Sequence, residues 1–298
     1  MRIKQSEIDE YQPKKYDGHI AHVLEAAASA TIYHEELENE DNQFGYLPWK
    51  DMHEIHEWRP NELTVWAAES GIGKSLIQGF SMMHLAIHKK KCVIASFEMP
   101  IADTFERQCA AFHGKNTRTT SEEKIEFSEL LDGNIFYYDF LGYITPQQVY
   151  QFVAYCAEEL RCIHICLDSL MMISLQGANK YDQQKDFVAQ LKTMSKMYNC
   201  HIHLVCHHKK PEGDKITSRS KNSVSGASEI VSLADNVILI NEADDEYKNI
   251  VTFAFGKQRR SRKKCKKPYG LEILDCGQVV RANKGKVSKE SLKRGNYI

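Results

Sequence analysis

Residues 63–75 read LTVWAAESGIGKS, and this stretch decides the class of fold. The apolar, β-rich residues 63–67 lead into a loop that contains two glycines, and a helical pattern follows over residues 76–88. A strand, a loop ending in Gly-Lys-Ser and a helix, in this order, indicate a phosphate-binding P-loop. Ala68 replaces the first glycine of the usual pattern, but that position forms the outer turn of the loop and does not surround the phosphates.

The loop supplies the groups that a nucleotide and its metal ion need. Gly71 and Gly73 allow backbone N–H groups to turn towards an anion, Lys74 can reach the β- and γ-phosphates, and the Ser75 hydroxyl can bind Mg²⁺. Lys74 is expected to be a surface-loop lysine with little core contact. The expected cofactors are Mg²⁺ and either ATP or dTTP, and the expected nucleotide-binding residues are Ser70, Gly71, Ile72, Gly73, Lys74, Ser75 and Leu76.

Composition indicates a soluble globular chain with one domain and an appendage. Its 298 residues are 42% hydrophobic and 27% charged, which is enough to bury a sizeable core. No apolar stretch is long enough to cross a bilayer, and the N-terminus lacks the apolar core of a signal peptide, so we expect no membrane contact and a cytoplasmic location, in the host cell if the chain is viral. The nine cysteines contain no CxxC pair and are expected to be reduced core thiols.

The small net charge of −1 conceals a strong polarity along the chain. Residues 1–58 carry a net charge of −8, whereas residues 256–298 carry a net charge of +11. This asymmetry indicates a polyanionic partner, an acid-to-base contact between subunits, or both. Two differently solvated faces would give the same pattern.

Apolar β-like segments alternate with helical patterns through most of the chain. Helices are expected near residues 75–88, 101–114, 146–160, 182–198 and 224–234. Such alternation predicts an α/β fold with a mostly parallel sheet covered by helices, and the short loops after residue 250 predict an antiparallel C-terminal edge. The first 17 residues are expected to be irregular, residues 18–37 to form an amphipathic helix, and residues 38–45 to form a linker.

Two carboxylates end strand-like segments. Asp168 closes the run CIHICLD, so it should emerge at the carboxyl edge of a strand beside the P-loop strand, where an acid can help to hold Mg²⁺. Glu98 follows the run VIASF and would reach the same edge from the next strand. Either residue taken alone could simply belong to a turn.

Five segments together resemble one family. The runs RPNELTVWAAESGIGKS, ASFEMP, ICLDSL, LVCHHKKP and VSGASEIVSLADNVILI are similar, in this order, to the ATPase domain of the DnaB-like replicative helicases, nearest to the phage type and to mitochondrial Twinkle. The resemblance covers about residues 45–276. It implies a RecA-like P-loop NTPase core over residues 46–283, followed by a basic tail (284–298). The N-terminal segment and linker helix (1–45) could dock on a neighbouring subunit.

The resemblance also implies roles for individual residues. Glu98 matches the catalytic base, Asp168 the metal-binding acid, and His207 the sensor of the γ-phosphate. Lys257 and Arg259 match a Lys-x-Arg pair that the adjacent subunit supplies to neutralise the γ-phosphate. Residues two apart on a strand share a face, so this pair can point at the same partner. The catalytic group implied in this way is Lys74, Glu98, His207, Lys257 and Arg259.

The polar segment 207–225 is the expected DNA-binding loop. Its lysines and arginine can follow a nucleic-acid backbone, and its lack of aromatic residues indicates phosphate contacts with little sequence preference. Ser223, Ser225 and Gly226 are alternatives for one phosphate contact. The resemblance implies that segment 207–225 lines the central channel of a ring, and that the loop at residues 176–180 is a second channel loop. The expected DNA-binding residues are Lys209, Lys210, Lys215, Arg219, Lys221 and Gly226.

Two functions follow from these features. The first is an oligomeric NTP-dependent helicase, expected to be a hexamer, that moves along single-stranded DNA and meets a primase, polymerase or single-strand-binding protein. The second is a RecA-like or KaiC-like ATPase, or a recombination or accessory protein, that uses ATP as an assembly switch. Glu98 followed by Met-Pro, together with the pair Lys257 and Arg259, favours the helicase.

Overall fold

The computed structural model describes residues 2–11, 44–175, 180–207, 228–243, 249–261 and 267–282. Ten strands lie within these ranges. Numbered along the chain, they are β1 (Arg2–Lys4), β2 (Glu62–Ala68), β3 (Cys92–Ser96), β4 (Ile135–Asp139), β5 (His164–Asp168), β6 (His201–His207), β7 (Asn236–Glu242), β8 (Ile250–Gln258), β9 (Tyr269–Ile273) and β10 (Val279–Arg281).

All ten strands join one sheet in the order β1-β4-β3-β5-β6-β2-β7-β8-β9-β10. The pairs from β1 to β7 are parallel, and the pairs from β7 to β10 are antiparallel. This arrangement confirms the predicted mostly parallel sheet with an antiparallel C-terminal edge. The carboxyl ends of β2, β3, β5 and β6 therefore meet at one edge of the sheet.

Helices cover both faces of the sheet, and the five expected from the sequence are all present. Two further helices, Gln5–Asp9 and Ser121–Leu131, were not expected. The second of these has 11 residues. Its Thr120 cap accepts a hydrogen bond from the backbone N–H of Glu123, but its apolar side chains are too few to give a clear helical period. In chain order the helices are α1 (Gln5–Asp9), α2 (Lys74–Ile87), α3 (Ile101–His113), α4 (Ser121–Leu131), α5 (Pro146–Glu158), α6 (Lys180–Met197) and α7 (Ser228–Leu233).

The P-loop strand lies in the centre of the molecule. All seven residues of β2 are buried, between β6 on one side and β7 on the other. Val65 faces a core that includes residues of α5 and α6, whereas Trp66 faces a second core that includes residues of α2, α3 and α4. Side chains alternate across a strand, so β2 anchors both halves of the core and holds its carboxyl end rigidly.

The N-terminal residues differ from the expectation. Residues 2–9 form β1 and α1, so the prediction of irregular structure is wrong for them. Ile3 and Ile8 are buried beside β4 and the helix α5 that follows it, and the Tyr138 hydroxyl donates a hydrogen bond to Gln5. Elements of three and five residues are too short to show a hydrophobic period. The helix predicted over 18–37 and the tail predicted over 284–298 lie outside the described residues.

Candidate functional site

The loop between β2 and α2 has the backbone of a phosphate cradle. Gly71 and Gly73 have φ angles of 89° and 93°, in the left-handed region that favours glycine. Gly73 is the residue from which α2 begins, so the amino end of that helix opens towards the loop. A helix amino terminus presents unpaired N–H groups and partial positive charge, and it therefore attracts anions.

Lys74 lies inside this site, which corrects the expectation of a surface-loop lysine. Its side chain is buried, and Nζ donates towards the ring of His207, with Nε2 at 3.1 Å and Nδ1 at 3.3 Å. Burial lowers the pKa of the Lys74 ammonium, and the negative charges of Asp168 and Glu98 oppose that shift. Strand pairing places His207 over the Lys74 side chain, because His207 pairs with Ala68 directly beside the start of the loop.

Asp168 and Ser75, the two residues expected to bind a metal ion, lie together in the site. Asp168 ends β5 and is buried, which raises the pKa of its carboxyl group, and a hydrogen bond from Ser75 and the charge of Lys74 oppose that shift. The sequence expectation placed Asp168 on a strand beside β2, but β6 lies between them. Chain order does not fix the order of strands in a parallel sheet, since each crossover can skip a position.

These oxygen donors fit Mg²⁺. The described residues contain no group of three or more His, Cys, Asp or Glu side chains that could hold a metal ion. Mg²⁺ is usually held by one or two protein oxygens, with phosphate oxygens and water completing its shell. A hydroxyl and one carboxylate at the foot of a phosphate loop satisfy that requirement.

Glu98 reaches the same edge from β3. Its side chain is exposed, and Oε1 accepts a hydrogen bond of 2.8 Å from the hydroxyl of buried Ser169. Ser96 and Asp168 are paired in the sheet, which brings the loop after β3 beside the loop after β5. Lys74, Ser75, Glu98, Asp168 and His207 are therefore brought together, as the sequence predicted.

Lys257 and Arg259 lie at the opposite edge of the sheet. Gln258, between them, pairs with Asn236 at the start of β7, and Asn236 pairs with Thr64 near the start of β2. About 13 Å of strand then separates Thr64 from Ala68, where the P-loop begins. The pair is thus not brought to the P-loop of its own chain.

Both basic side chains contact the end of α7. Lys257 Nζ donates to the carbonyls of Val231 and Ser232, each at 2.8 Å, and Arg259 Nη2 donates to the same Ser232 carbonyl at 3.0 Å. Arg259 Nη1 also lies 3.5 Å from Asp235 Oδ1, and its side chain is half exposed. The two side chains therefore share an acceptor, although β8 ends at Gln258 and Arg259 lies just beyond the strand.

Several expected functional residues lie outside the described part of the chain. These are the DNA-binding candidates Lys209, Lys210, Lys215, Arg219, Lys221 and Gly226, and the second channel loop at 176–179. In the described part, seven of the cysteines are buried, as expected for core thiols, and Cys276 is half-buried.

Sequence reasoning missed two contributors to the site. Ser169 follows Asp168 directly in the run LDSL, and that adjacency could have drawn attention to it. Ile273, at the end of β9, lies against the P-loop: a Cβ atom at Gly73 would be 2.6 Å from its Cδ1 atom. No sequence signal identifies this contact, because 200 positions separate the two residues and only the sheet brings them together.

Residues 50–213 match the family described as AAA domain. The chain belongs to the AAA domain family. The match covers more than half of the chain and contains the P-loop together with Lys74, Glu98, Asp168 and His207. No curated protein matches this chain.

Two solved structures have a similar fold. The ATPase domain of a helicase aligns over 88% of this chain and 100% of its own, with a TM-score of 0.73 and 15% identity. The structure described as a DnaB-like replicative helicase and its interactions with primase aligns over 88% of this chain and 68% of its own, with a TM-score of 0.68 and 15% identity. The predicted RecA-like fold, like that of DnaB-like helicase ATPase domains, is confirmed. No helix among the described residues is both long and apolar enough to cross a membrane.

Proposed function

We propose that this chain hydrolyses a nucleoside triphosphate, ATP or dTTP, and uses the energy as an oligomeric helicase that moves along single-stranded DNA. The observation that supports the proposal is that the P-loop group and the pair Lys257 and Arg259 lie at opposite edges of one sheet. Such a chain completes its site only when a second copy presents its own Lys257 and Arg259.

The residues at the P-loop edge support hydrolysis. The loop and Lys74 bind the phosphates, Ser75 and Asp168 hold Mg²⁺, and Glu98 accepts a proton from the attacking water. When bound, Mg²⁺ neutralises charge on the β- and γ-phosphates. His207 contacts Lys74, so it can respond when a γ-phosphate takes the place of the ring as the partner of the ammonium.

The contacts of Arg259 support action on a neighbouring subunit. A guanidinium has five N–H donors, so Arg259 can keep its bond to the Ser232 carbonyl and offer others to a phosphate. An arginine supplied in this way makes hydrolysis depend on assembly and contributes several orders of magnitude in rate. We propose a ring, expected to contain six subunits, as the assembly.

Hydrolysis and unwinding assays test the proposal directly. Single-stranded DNA should stimulate nucleotide hydrolysis, and a forked duplex should be unwound while nucleotide is consumed. The Lys74→Ala variant, which lacks the phosphate-binding charge, is the matched control and should do neither. Stoichiometric strand exchange without unwinding would instead favour the RecA-like alternative. Electron micrographs with single-stranded DNA and a non-hydrolysable nucleotide would distinguish a ring from a filament.

The protein partners belong to the same proposal. One structural relative is described together with primase. By analogy of fold, we propose a primase, a polymerase or a single-strand-binding protein as partners of this chain in the cytoplasm of its cell or host.

A further inference from the structure

Ser169 connects the two acidic residues at the P-loop edge. It follows Asp168 in the chain, is completely buried, and donates from Oγ to Glu98 Oε1 at 2.8 Å. One step earlier, the backbone N–H of Phe97 donates to the carbonyl oxygen of Asp168 at 2.9 Å. The loop that carries Glu98 is therefore joined to the metal-binding strand by two successive hydrogen bonds.

The hydroxyl restrains a side chain that is otherwise mobile. Glu98 is exposed, and a glutamate side chain has several rotatable bonds that solvent does not fix. Within the described residues, the Ser169 hydroxyl donates a hydrogen bond to the Glu98 carboxylate. Fixing Oε1 leaves Oε2 oriented for a water molecule, and orientation of this kind contributes strongly to rate.

We propose that Ser169 is a positioning residue for Glu98, and this inference rests on the hydrolytic function proposed above. In the reaction, a proton passes from water to Glu98 as the water oxygen bonds to the γ-phosphorus. The bond from that phosphorus to the oxygen of the leaving nucleoside diphosphate breaks. The role proposed for Ser169 is exerted only through the carboxylate that it holds.

Steady-state hydrolysis separates positioning from binding. Ser169→Ala should lower kcat about tenfold, which corresponds to the loss of one hydrogen bond to a charged group, and should leave KM and nucleotide affinity unchanged. Ser169→Cys keeps the size of the side chain with a weaker donor, so its kcat should lie between those of the other two proteins. Ser128→Ala, on the exposed part of α4, is the matched control and should behave as the wild type.

A double-mutant cycle decides whether the effect passes through Glu98. In a Glu98→Ala background, Ser169→Ala should change the residual single-turnover rate by less than about twofold, since no carboxylate remains to be held. An equal tenfold loss in that background, or full activity of both Ser169 variants, would overturn the inference. If the wild-type protein itself hydrolyses no nucleotide, the proposed function fails; if it does and the Ser169 variants match it, only the positioning role fails.

Discussion

At the scale of single residues, Lys74 shows how the site is prepared for its ligand. A buried ammonium costs free energy unless a charge or an acceptor faces it, and here His207, Asp168 and Glu98 surround it. A triphosphate brings more negative charge to the same place, so binding should relieve the cost of burial. The site therefore favours a ligand of high negative charge.

Glu98→Gln should separate nucleotide binding from chemistry. The amide keeps the size and the acceptor oxygen for Ser169 but cannot take a proton from water, so turnover should fall about a hundredfold or more while nucleotide and DNA affinities stay near wild type. Steady-state hydrolysis and equilibrium binding on the same preparation measure this. Glu126→Gln, on the exposed face of α4, is the control. A parallel loss of binding and turnover would show that Glu98 is structural.

At the scale of elements, α7 connects the segment expected to bind DNA with the pair expected to act on a neighbour. The helix begins at Ser228, directly after residues 208–227, and its final carbonyls accept hydrogen bonds from Lys257 and Arg259. A movement of α7 would therefore move both cations together. The carbonyl end of a helix carries partial negative charge, which stabilises them there.

Arg259→Ala should bind nucleotide normally but hydrolyse it poorly. Its own P-loop is intact, since the missing guanidinium lies at the other edge of the sheet, whereas the neighbour's γ-phosphate loses a stabilising charge. Mixing it with Lys74→Ala subunits, which have a sound Arg259 and an inactive pocket, should restore measurable hydrolysis from two inactive preparations.

The control for this mixture is proof that subunits exchange, for example by fluorescence transfer between labelled copies. Exchange without any recovery would mean either action within one chain or a ring that needs many intact sites at once. Dilution of wild-type protein with a variant distinguishes these, because independent sites lose activity linearly and coupled sites lose it steeply.

Replacement of Lys209, Lys210, Lys215, Arg219 and Lys221 by Ala should weaken binding of all single-stranded DNA sequences alike. Each lost phosphate contact removes most of one released counterion, so the slope of log affinity against log salt should become shallower. Titrations at several salt concentrations measure that slope. An unchanged slope would place DNA binding elsewhere, with the basic stretch 260–267 as the next candidate.

At the scale of the whole molecule, four buried histidines surround Trp58: His56, His164, His201 and His203. For His164, His201 and His203, the hydrogen-bond partners determine which ring nitrogen carries the proton in the neutral form. Trp66 Nε1 donates to His203 Nδ1, so His203 Nε2 donates to His164 Nδ1, and His164 Nε2 donates to the carbonyl of Phe44. His201 likewise donates to the Arg59 carbonyl and accepts from Thr64. Protonation of any of these three rings would turn its acceptor nitrogen into a donor, and one hydrogen bond of the network would be lost.

Burial accordingly lowers the pKa of His56 and of His164 to about 3, and lowers the pKa of His201 and His203 well below the ordinary value. The unfolded chain binds these protons below about pH 6.5, while the folded protein does not. Above about pH 6.5 none of the four groups costs stability, and below it the free energy of unfolding falls with the pH. For His56 and His164 the fall continues to about pH 3, and each of these two contributes about 1.4 kcal/mol per pH unit in that window.

His56→Leu should make the protein less sensitive to acid. Both ring nitrogens of His56 lack a hydrogen-bond partner in the described structure, so the leucine removes a titrating group without leaving a bonded atom unpaired. Urea unfolding, followed by tryptophan fluorescence between about pH 8 and pH 5.5, should give a shallower decline than in the wild type. Equal declines for the two proteins would mean that His56 does not titrate on unfolding.

The sequence by itself determined the local parts of this protein. The P-loop, the alternation of strands and helices and the carboxylates at strand ends depend on neighbouring residues, whose spacing is visible in the chain. It therefore predicted the mostly parallel sheet, its antiparallel C-terminal edge, five helices and the group formed by Lys74, Ser75, Glu98, Asp168 and His207.

Only the tertiary structure decided which distant residues meet. The insertion of β6 between β5 and β2, the burial of Lys74, the contact of Ile273 with Gly73 and the short N-terminal elements depend on long-range packing. Strand order and core burial minimise exposed apolar surface over the whole chain, and no local pattern encodes that balance. For the same reason, the placement of Lys257 and Arg259 at the edge opposite their own P-loop became visible only in the folded sheet.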